Sequence, residues 1–299
     1  MAAPLLPPAH EAPLPPAWAG PGGVRVFAGV AYAALPGVRP LELDLYLPAE
    51  ASALAPLVVF LHGGGWRVGS RRTIGPAYAG WTPSPFEQLA ASGVAVASVD
   101  YRLSGEAQWP AQLHDAKAAV RWIRARADEL GVDPDRLAAW GESSGGHLAA
   151  LLGLTGSDLD GQVGVVGPSS AVRAVVAWYP PADLAAMPTD TGSDPMAADS
   201  REALLLGAPL PTVPERTAEA SPVSHVGPDA PPFLLLHGLS DRLVPSRQSE
   251  RLHDALLAVG APVERDTYPD ADHMWLGTPE VAERALARTV QFLGQQLSS

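Results

Sequence analysis

The chain has 299 residues, is 47% hydrophobic, and carries 20 basic against 32 acidic side chains, a formal net charge of −12. That length and apolar content fit one large α/β domain or two ordinary ones and exclude whole-chain disorder. The negative charge disfavours nucleic acid and anionic membranes as partners, and the absence of cysteine removes disulfides, thiolate metal sites and a cysteine nucleophile.

In chain order, residues 1–23 come first. Six prolines fall within Met1–Gly20, among them Pro7-Pro8 and Pro15-Pro16, which reads as a flexible, extended tail. No basic leader followed by an apolar core is visible there. No stretch reaches the roughly 20 unbroken apolar residues of a spanning helix. A cytoplasmic protein is expected. Lys117 is the only lysine, which with the alanine and proline excess points to coding bias rather than function.

Val24–Ala31 and Leu41–Leu47 alternate apolar and polar residues, the pattern of half-buried antiparallel strands, with a turn at Pro36-Gly37. The pattern then changes to short continuous apolar runs: Leu57–Leu61, Val94–Val99, Leu137–Trp140, Val172–Trp178 and Phe233–Leu236. Such runs suit parallel strands covered on both faces. Val263–Tyr268 is read as a further strand. Helical patterns lie between them at Trp109–Leu130, Ser144–Thr155, Ser246–Val259 and Pro279–Leu297. Asp133-Pro134-Asp135 reads as a turn. The fold class is therefore α/β: a mostly parallel eight-stranded sheet flanked by helices, with an antiparallel edge at its start. Residues 24–299 form one domain, and the 47 aperiodic residues of Asp183–Asp229 form a cap or lid insertion after the sixth strand.

Chemistry enters at Gly141-Glu142-Ser143-Ser144-Gly145, a G-x-S-x-G motif between the strand Leu137–Trp140 and the helix Ser144–Thr155. In that setting a serine occupies a strained turn whose neighbours two residues away pass so close that they must lack side chains. Gly141 and Gly145 meet that requirement for Ser143, whereas centring the motif on Ser144 would put Glu142 in a crowded position. Glu142 itself is expected to be partly exposed. The unpaired amides at the start of the following helix place the Ser144 N–H to donate to an oxyanion.

His62-Gly63-Gly64-Gly65-Trp66 follows the strand Leu57–Leu61, and its glycines let the backbone turn amides toward a bound carbonyl. A phosphate loop is the alternative, but no Gly-Lys-Ser/Thr follows. His62 is expected to anchor this loop by hydrogen bonds. Trp66, Trp178, Tyr179 and Trp275 are candidate pocket-lining, substrate-binding aromatics, with a core position as the competing reading. Arg102 is read mainly as a structural ion pair, with binding of a substrate carboxylate as the alternative, and Asp115 belongs to the same supporting layer.

A serine needs a general base. Of eight histidines, His10 lies in the tail, His114 and His253 in helical patterns, His147 on the far side of the elbow and His225 in the insertion. His62 and His237 stand at strand ends before glycine. His273, in the loop between Val263–Tyr268 and the last helix, has the position expected of a base in the chain order serine, acid, histidine. Asp241, in the loop after Phe233–Leu236, is the candidate acid that orients it. Asp183 is the runner-up; Asp270 and Asp272 read as turn carboxylates.

Together these residues resemble the α/β-hydrolase fold and, within it, HGGG-type esterases near the hormone-sensitive-lipase group. The resemblance is strongest to bacterial feruloyl/acetyl-xylan esterase-like (BD-FAE-like) enzymes, which are also similar to kynurenine formamidases. It rests on His62–Trp66, Asp100-Tyr101-Arg102-Leu103, Asp133–Arg136, Gly141–Leu148, His237-Gly238, Asp241 with Val244-Pro245, and His273, and spans about Val24 to Leu297. It implies Ser143 as nucleophile, His273 as base, Asp241 as its partner, and the amides of Gly64, Gly65 and Ser144 as an oxyanion hole. It also implies a serine carboxylester hydrolase acting on short-chain, aryl or acetyl esters through an acyl-enzyme. No metal and no cofactor are expected. The expected partner is a small-molecule ester, with no nucleic acid and no membrane, and a homo-oligomer is left open. An arylformamidase with the same triad and a non-catalytic binding protein on this scaffold are the alternatives. Ser144 stands where the family often has alanine, which leaves its backbone role intact.

Overall fold

A computed structural model describes residues 9–49 and 53–298; residues 1–8 of the expected tail lie outside the described residues. Among the described residues there are nine strands: β1 (Trp18–Ala19), β2 (Arg25–Ala33), β3 (Leu41–Leu47), β4 (Ala55–Leu61), β5 (Ala95–Val99), β6 (Val132–Glu142), β7 (Val175–Trp178), β8 (Phe233–Gly238) and β9 (Val263–Tyr268). They form one sheet in the order β1-β2-β3-β5-β4-β6-β7-β8-β9. β1 to β3 and the β3–β5 seam are antiparallel; every pairing from β5 to β9 is parallel.

Strands covered on both faces need apolar side chains in both directions. In β4, Leu57, Val59 and Leu61 enter one core while Val58 and Phe60 enter the other. The first core packs α2 (Ala111–Ala125), α4 (Ser144–Leu154) and α8 (Arg247–Ala258) on the sheet; the second packs α1 (Pro85–Ala91) and α9 (Pro279–Gln296). A mostly parallel α/β-hydrolase sheet with an antiparallel start results, as expected, with nine strands rather than eight.

The ninth strand comes from the proline-rich segment. Trp18 and Ala19 pair with Val26 and Arg25. Further back, Trp122 Nε1 donates to the His10 carbonyl at 2.8 Å and Arg126 Nη1 to that of Ala12 at 2.9 Å. Residues 9–23, expected as part of a flexible tail, are thus laid against the domain, because side chains on and just after α2 satisfy a backbone that proline keeps out of regular structure.

Other differences are local. The helix expected over Trp109–Leu130 starts at Ala111 and is interrupted at Arg126, before the four-residue α3 (Ala127–Leu130) ends on left-handed Gly131, φ 70°. The Asp133-Pro134-Asp135 turn persists as an irregularity inside β6, whose pairing jumps from Ala55–Val132 to Leu57–Leu137. Helix α1 is a further element, opened by a capping box in which Ser84 and Glu87 exchange hydrogen bonds. Within 183–229 the chain forms the short helices α5 (Met187–Thr191), α6 (Arg201–Leu206) and α7 (Pro214–Glu219). No helix among the described residues is long and apolar enough to cross a membrane.

Candidate active site

The loops after β4, β6, β8 and β9 all leave from the carboxyl edge of the parallel strands, where open α/β sheets bind ligands. Ser143 is the residue between β6 and α4, and its backbone has φ 53° and ψ −122°. A Cβ on Gly141 would stand 2.2 Å from the Gly145 carbonyl oxygen, and one on Gly145 would stand 2.0 Å from that of Leu61. These contacts explain why glycine flanks the turn at both positions. The Ser143 amide donates to the Trp178 carbonyl at 2.9 Å, and its own carbonyl accepts from His147 N at 2.9 Å, which holds the strained residue from both sides.

His273 follows β9 and Asp241 follows β8. Ser143 Oγ is 3.0 Å from His273 Nε2, and His273 Nδ1 is 2.6 Å from Asp241 Oδ2. The structure brings together three side chains separated by up to 130 positions. Asp241 Oδ1 accepts from the amides of Leu243 and Val244, both at 2.9 Å, and Oδ2 also faces His237 Nε2 at 3.4 Å. Burial alone would raise the Asp241 pKa, but hydrogen bonds from His237 and His273 outweigh it and hold the carboxyl well below the usual range. The runner-up, Asp183, sits 3.7 Å from Arg251. Asp272 pairs with Arg242 and accepts from the His273 amide at 2.8 Å.

In the loop after β4, Gly64 and Gly65 have φ of 121° and 61°. A Cβ on Gly64 would lie 2.1 Å from the Val68 carbonyl oxygen, so this turn also requires glycine. Among the described residues the amides of Gly64, Gly65 and Ser144 have no acceptor. His62 anchors the loop: its Nδ1 donates to the Gly63 carbonyl at 2.7 Å, and its ring stacks on Tyr101 at 4.4 Å. The Tyr101 hydroxyl donates to the His62 carbonyl at 2.9 Å. Arg102 is spent on Asp115, bonded through Nε and Nη2.

A cavity of about 840 Å³ opens onto Ser143 and His273. The four aromatics expected to line it do not do so. Trp66, Trp178, Tyr179 and Trp275 are at most 1% exposed; they belong to the packing beneath the site. Trp178 donates to Thr289 Oγ1 at 3.0 Å, and Trp66 Nε1 to His147 Nδ1 at 3.3 Å. Tyr46, Tyr78, Trp81 and Phe86 form the aromatic wall instead, with Ile74 and Met274. The four aromatics come from β3, from α1 and from the long loop before it, which carries no periodic signal.

Glu142, expected to be partly exposed, is buried, at 5% exposed. It accepts from the Tyr179 hydroxyl at 2.8 Å, from Gly75 N at 2.9 Å and from Gly63 N at 3.4 Å. Burial pushes its carboxyl above the usual range despite these bonds. A further link is His147, which sits between Trp66 and the Ala220 carbonyl at 2.6 Å. An indole N–H only donates, so Nδ1 accepts and Nε2 carries the hydrogen to Ala220: the ring is neutral. Burial lowers its pKa to about 4. Among the described residues no group of three or more His, Asp or Glu is gathered as metal ligands would be.

The BD-FAE family model matches residues 43–256, and the chain belongs to that family. It is 32% identical over 262 residues to the probable carboxylic ester hydrolase LipM of Mycobacterium tuberculosis, covering 86% of this chain and 58% of that protein. The chain spans about half to three-fifths of the length of the curated relatives it matches first. Among solved structures it is similar to a truncated carbohydrate esterase from gut microbiota, with TM-score 0.78, 30% identity, and coverage of 92% of this chain and 96% of that one. It is also similar to the propionate-bound esterase Est2 of Thermogutta terrifontis, with TM-score 0.70, 28% identity, and coverage of 89% and 92%.

Proposed function

We propose that the protein is a serine carboxylester hydrolase that forms an acyl-enzyme on Ser143. The observation that carries this reading is the connected chain from Ser143 Oγ through His273 to Asp241, at 3.0 and 2.6 Å, beside amides that have no acceptor among the described residues. Ser143 Oγ attacks the ester carbonyl while His273 Nε2 takes its proton. Asp241 holds the Nδ1 hydrogen and so fixes the tautomer and stabilises the imidazolium. The amides of Gly64, Gly65 and Ser144 donate to the oxyanion, each contributing about 2.7–4 kcal/mol to the transition state. His273 then protonates the leaving alcohol, and water cleaves the acyl-enzyme by the same route. The esterase names of the family relatives support the reaction class.

The substrate in this reading is a small ester of short-chain, acetyl or aryl type, hydrolysed in the cytoplasm. The aromatic wall of Tyr78, Trp81 and Phe86 favours an apolar group on one side of the ester. The test is a panel of 4-nitrophenyl esters graded from acetate to decanoate, run beside N-formylkynurenine. Highest kcat/KM at two to four acyl carbons is expected. Preference for decanoate, or faster turnover of the formamide than of any ester, would overturn the substrate assignment.

A further inference from the structure

Three arginines line the mouth of the cavity: Arg67, Arg72 and Arg201. All three are exposed. The chain has nineteen arginines, its 20 basic residues less Lys117. Among the described residues, thirteen guanidinium groups are engaged by a hydrogen bond, an ion pair or an aromatic ring. Six are not: Arg25, Arg67, Arg72, Arg173, Arg201 and Arg247. Half of those free cations meet at one opening, in a chain whose net charge of −12 repels anions over the rest of its surface.

Among the described residues, the single acidic one on the cavity lining is Glu142. Its oxygens are taken by Tyr179, Gly75 and Gly63, so no carboxylate of the lining is left to pair with the guanidinium groups. A Cβ on Gly65 would lie 2.6 Å from Arg201 Cδ, so the stem of Arg201 rests on the backbone beside a proposed oxyanion donor. Helix α6 brings it there from the 183–229 insertion, with Ser200 capping the helix start. A planar guanidinium with five donors matches a carboxylate better than any neutral group does.

We propose that the site selects esters that carry a carboxylate, which Arg201 binds with support from Arg67 and Arg72, while the ester lies over Ser143 and the apolar part against the aromatic wall. This rests on the esterase reading above. It makes the insertion a specificity element, because α6 supplies the anchoring cation.

The test uses matched ester pairs that differ in charge and little in shape. One pair carries the charge on the leaving side, 3-acetoxybenzoate against 3-acetoxybenzamide. The other carries it on the acyl side, 4-nitrophenyl hemiadipate against 4-nitrophenyl adipamate. The anionic member of at least one pair should be preferred about ten-fold in kcat/KM at low salt, the size of one charge-assisted bond. The preference should shrink toward parity in 1 M NaCl, where the screening length is about 3 Å, and should fall to near one in Arg201→Gln. The salt series on the unaltered protein needs no variant to fold. Brisk turnover of the neutral members with no anionic preference in either pair would overturn the carboxylate inference and leave the esterase reading standing. No turnover of any member, together with no labelling of Ser143 by a fluorophosphonate, would remove the esterase reading and this inference with it.

Discussion

Tyr179 donates its phenolic hydrogen to Glu142 Oε2 at 2.8 Å, where both side chains are almost wholly out of water. The same carboxylate takes the amides of Gly75 and Gly63, and the Tyr179 ring lies 4.6 Å from that of His273. The residue before Ser143 therefore ties the loop of Gly63–Gly65, the pocket wall and His273 to one buried anchor. Tyr179→Phe removes one donor from a buried carboxylate and should cost about 1.5–3 kcal/mol in urea unfolding. Glu142→Gln should also lower stability and kcat, because an amide nitrogen in place of Oε2 can no longer accept from the Tyr179 hydroxyl, and the Gly75 and Gly63 amides lose a charged acceptor. Stability and kcat equal to the parent in both variants would show that the anchor does not organise the site.

The glycines of the elbow and of the loop after β4 are among those whose backbone neighbours leave no room for a Cβ. Gly145→Ala places a methyl 2.0 Å from the Leu61 carbonyl oxygen, against backbone that cannot move without shifting β4. Loss of soluble folded protein, or a fall of several kcal/mol in stability, is expected. Gly294→Ala, in the exposed last turn of α9, meets nothing within 4 Å and should stabilise by up to about 1 kcal/mol. Thermal unfolding of the two variants side by side checks both signs.

His147 gives stability a pH dependence of known sign. Its folded pKa is lowered by burial to about 4, while an unfolded histidine titrates near ~6.5. Between these values the unfolded chain binds a proton that the folded chain refuses. Stability should therefore fall as pH drops from about 6.5 to about 4, by up to about 3 kcal/mol. The contribution of Asp241 lies lower: it is present above about 3.9 and is lost as pH falls toward its own depressed pKa. In His147→Gln the slope between pH 6.5 and 4 should be shallower in urea titrations; an unchanged slope would contradict the neutral, buried ring.

Asp241→Asn tests the orienting role of the acid. An amide in place of the carboxylate no longer stabilises the imidazolium and can present an N–H to His273 Nδ1, favouring the wrong tautomer. A loss in kcat of about 10⁴ is expected, with KM on the same ester changed far less. A KM effect with kcat preserved would assign Asp241 to substrate binding instead.

What was legible in the sequence follows how locally each feature is specified. The parallel strands were legible because burial on two faces forces runs such as Leu57–Leu61, and the elbow because a backbone-to-backbone collision forces Gly141 and Gly145. The positions of Ser143, Asp241 and His273 followed from their strand ends. The pocket wall was not legible, since whether an aromatic faces a cavity or a core depends on loops that pack without periodicity. Trp178 and Trp275 lie under the site, whereas Tyr78 and Trp81, in an irregular loop, line it. Glu142 was misread for a related reason: a carboxylate defaults to the surface unless its partners, here Gly63, Gly75 and Tyr179, are known to converge. The capping box of Ser84 and Glu87 was a local signal that could have located α1.

The central claim is that one hydroxyl, on Ser143, carries the acyl group. The most direct measurement is intact-mass and peptide-mass analysis after reaction with a fluorophosphonate, followed in parallel with ester turnover. A single adduct on the peptide containing Ser143, appearing in step with loss of activity and absent from folded Ser143→Ala, is the predicted result; that variant should also lose about 10⁶ in kcat. An adduct on another residue that accounts for the lost activity, or near-full turnover by Ser143→Ala, would contradict it.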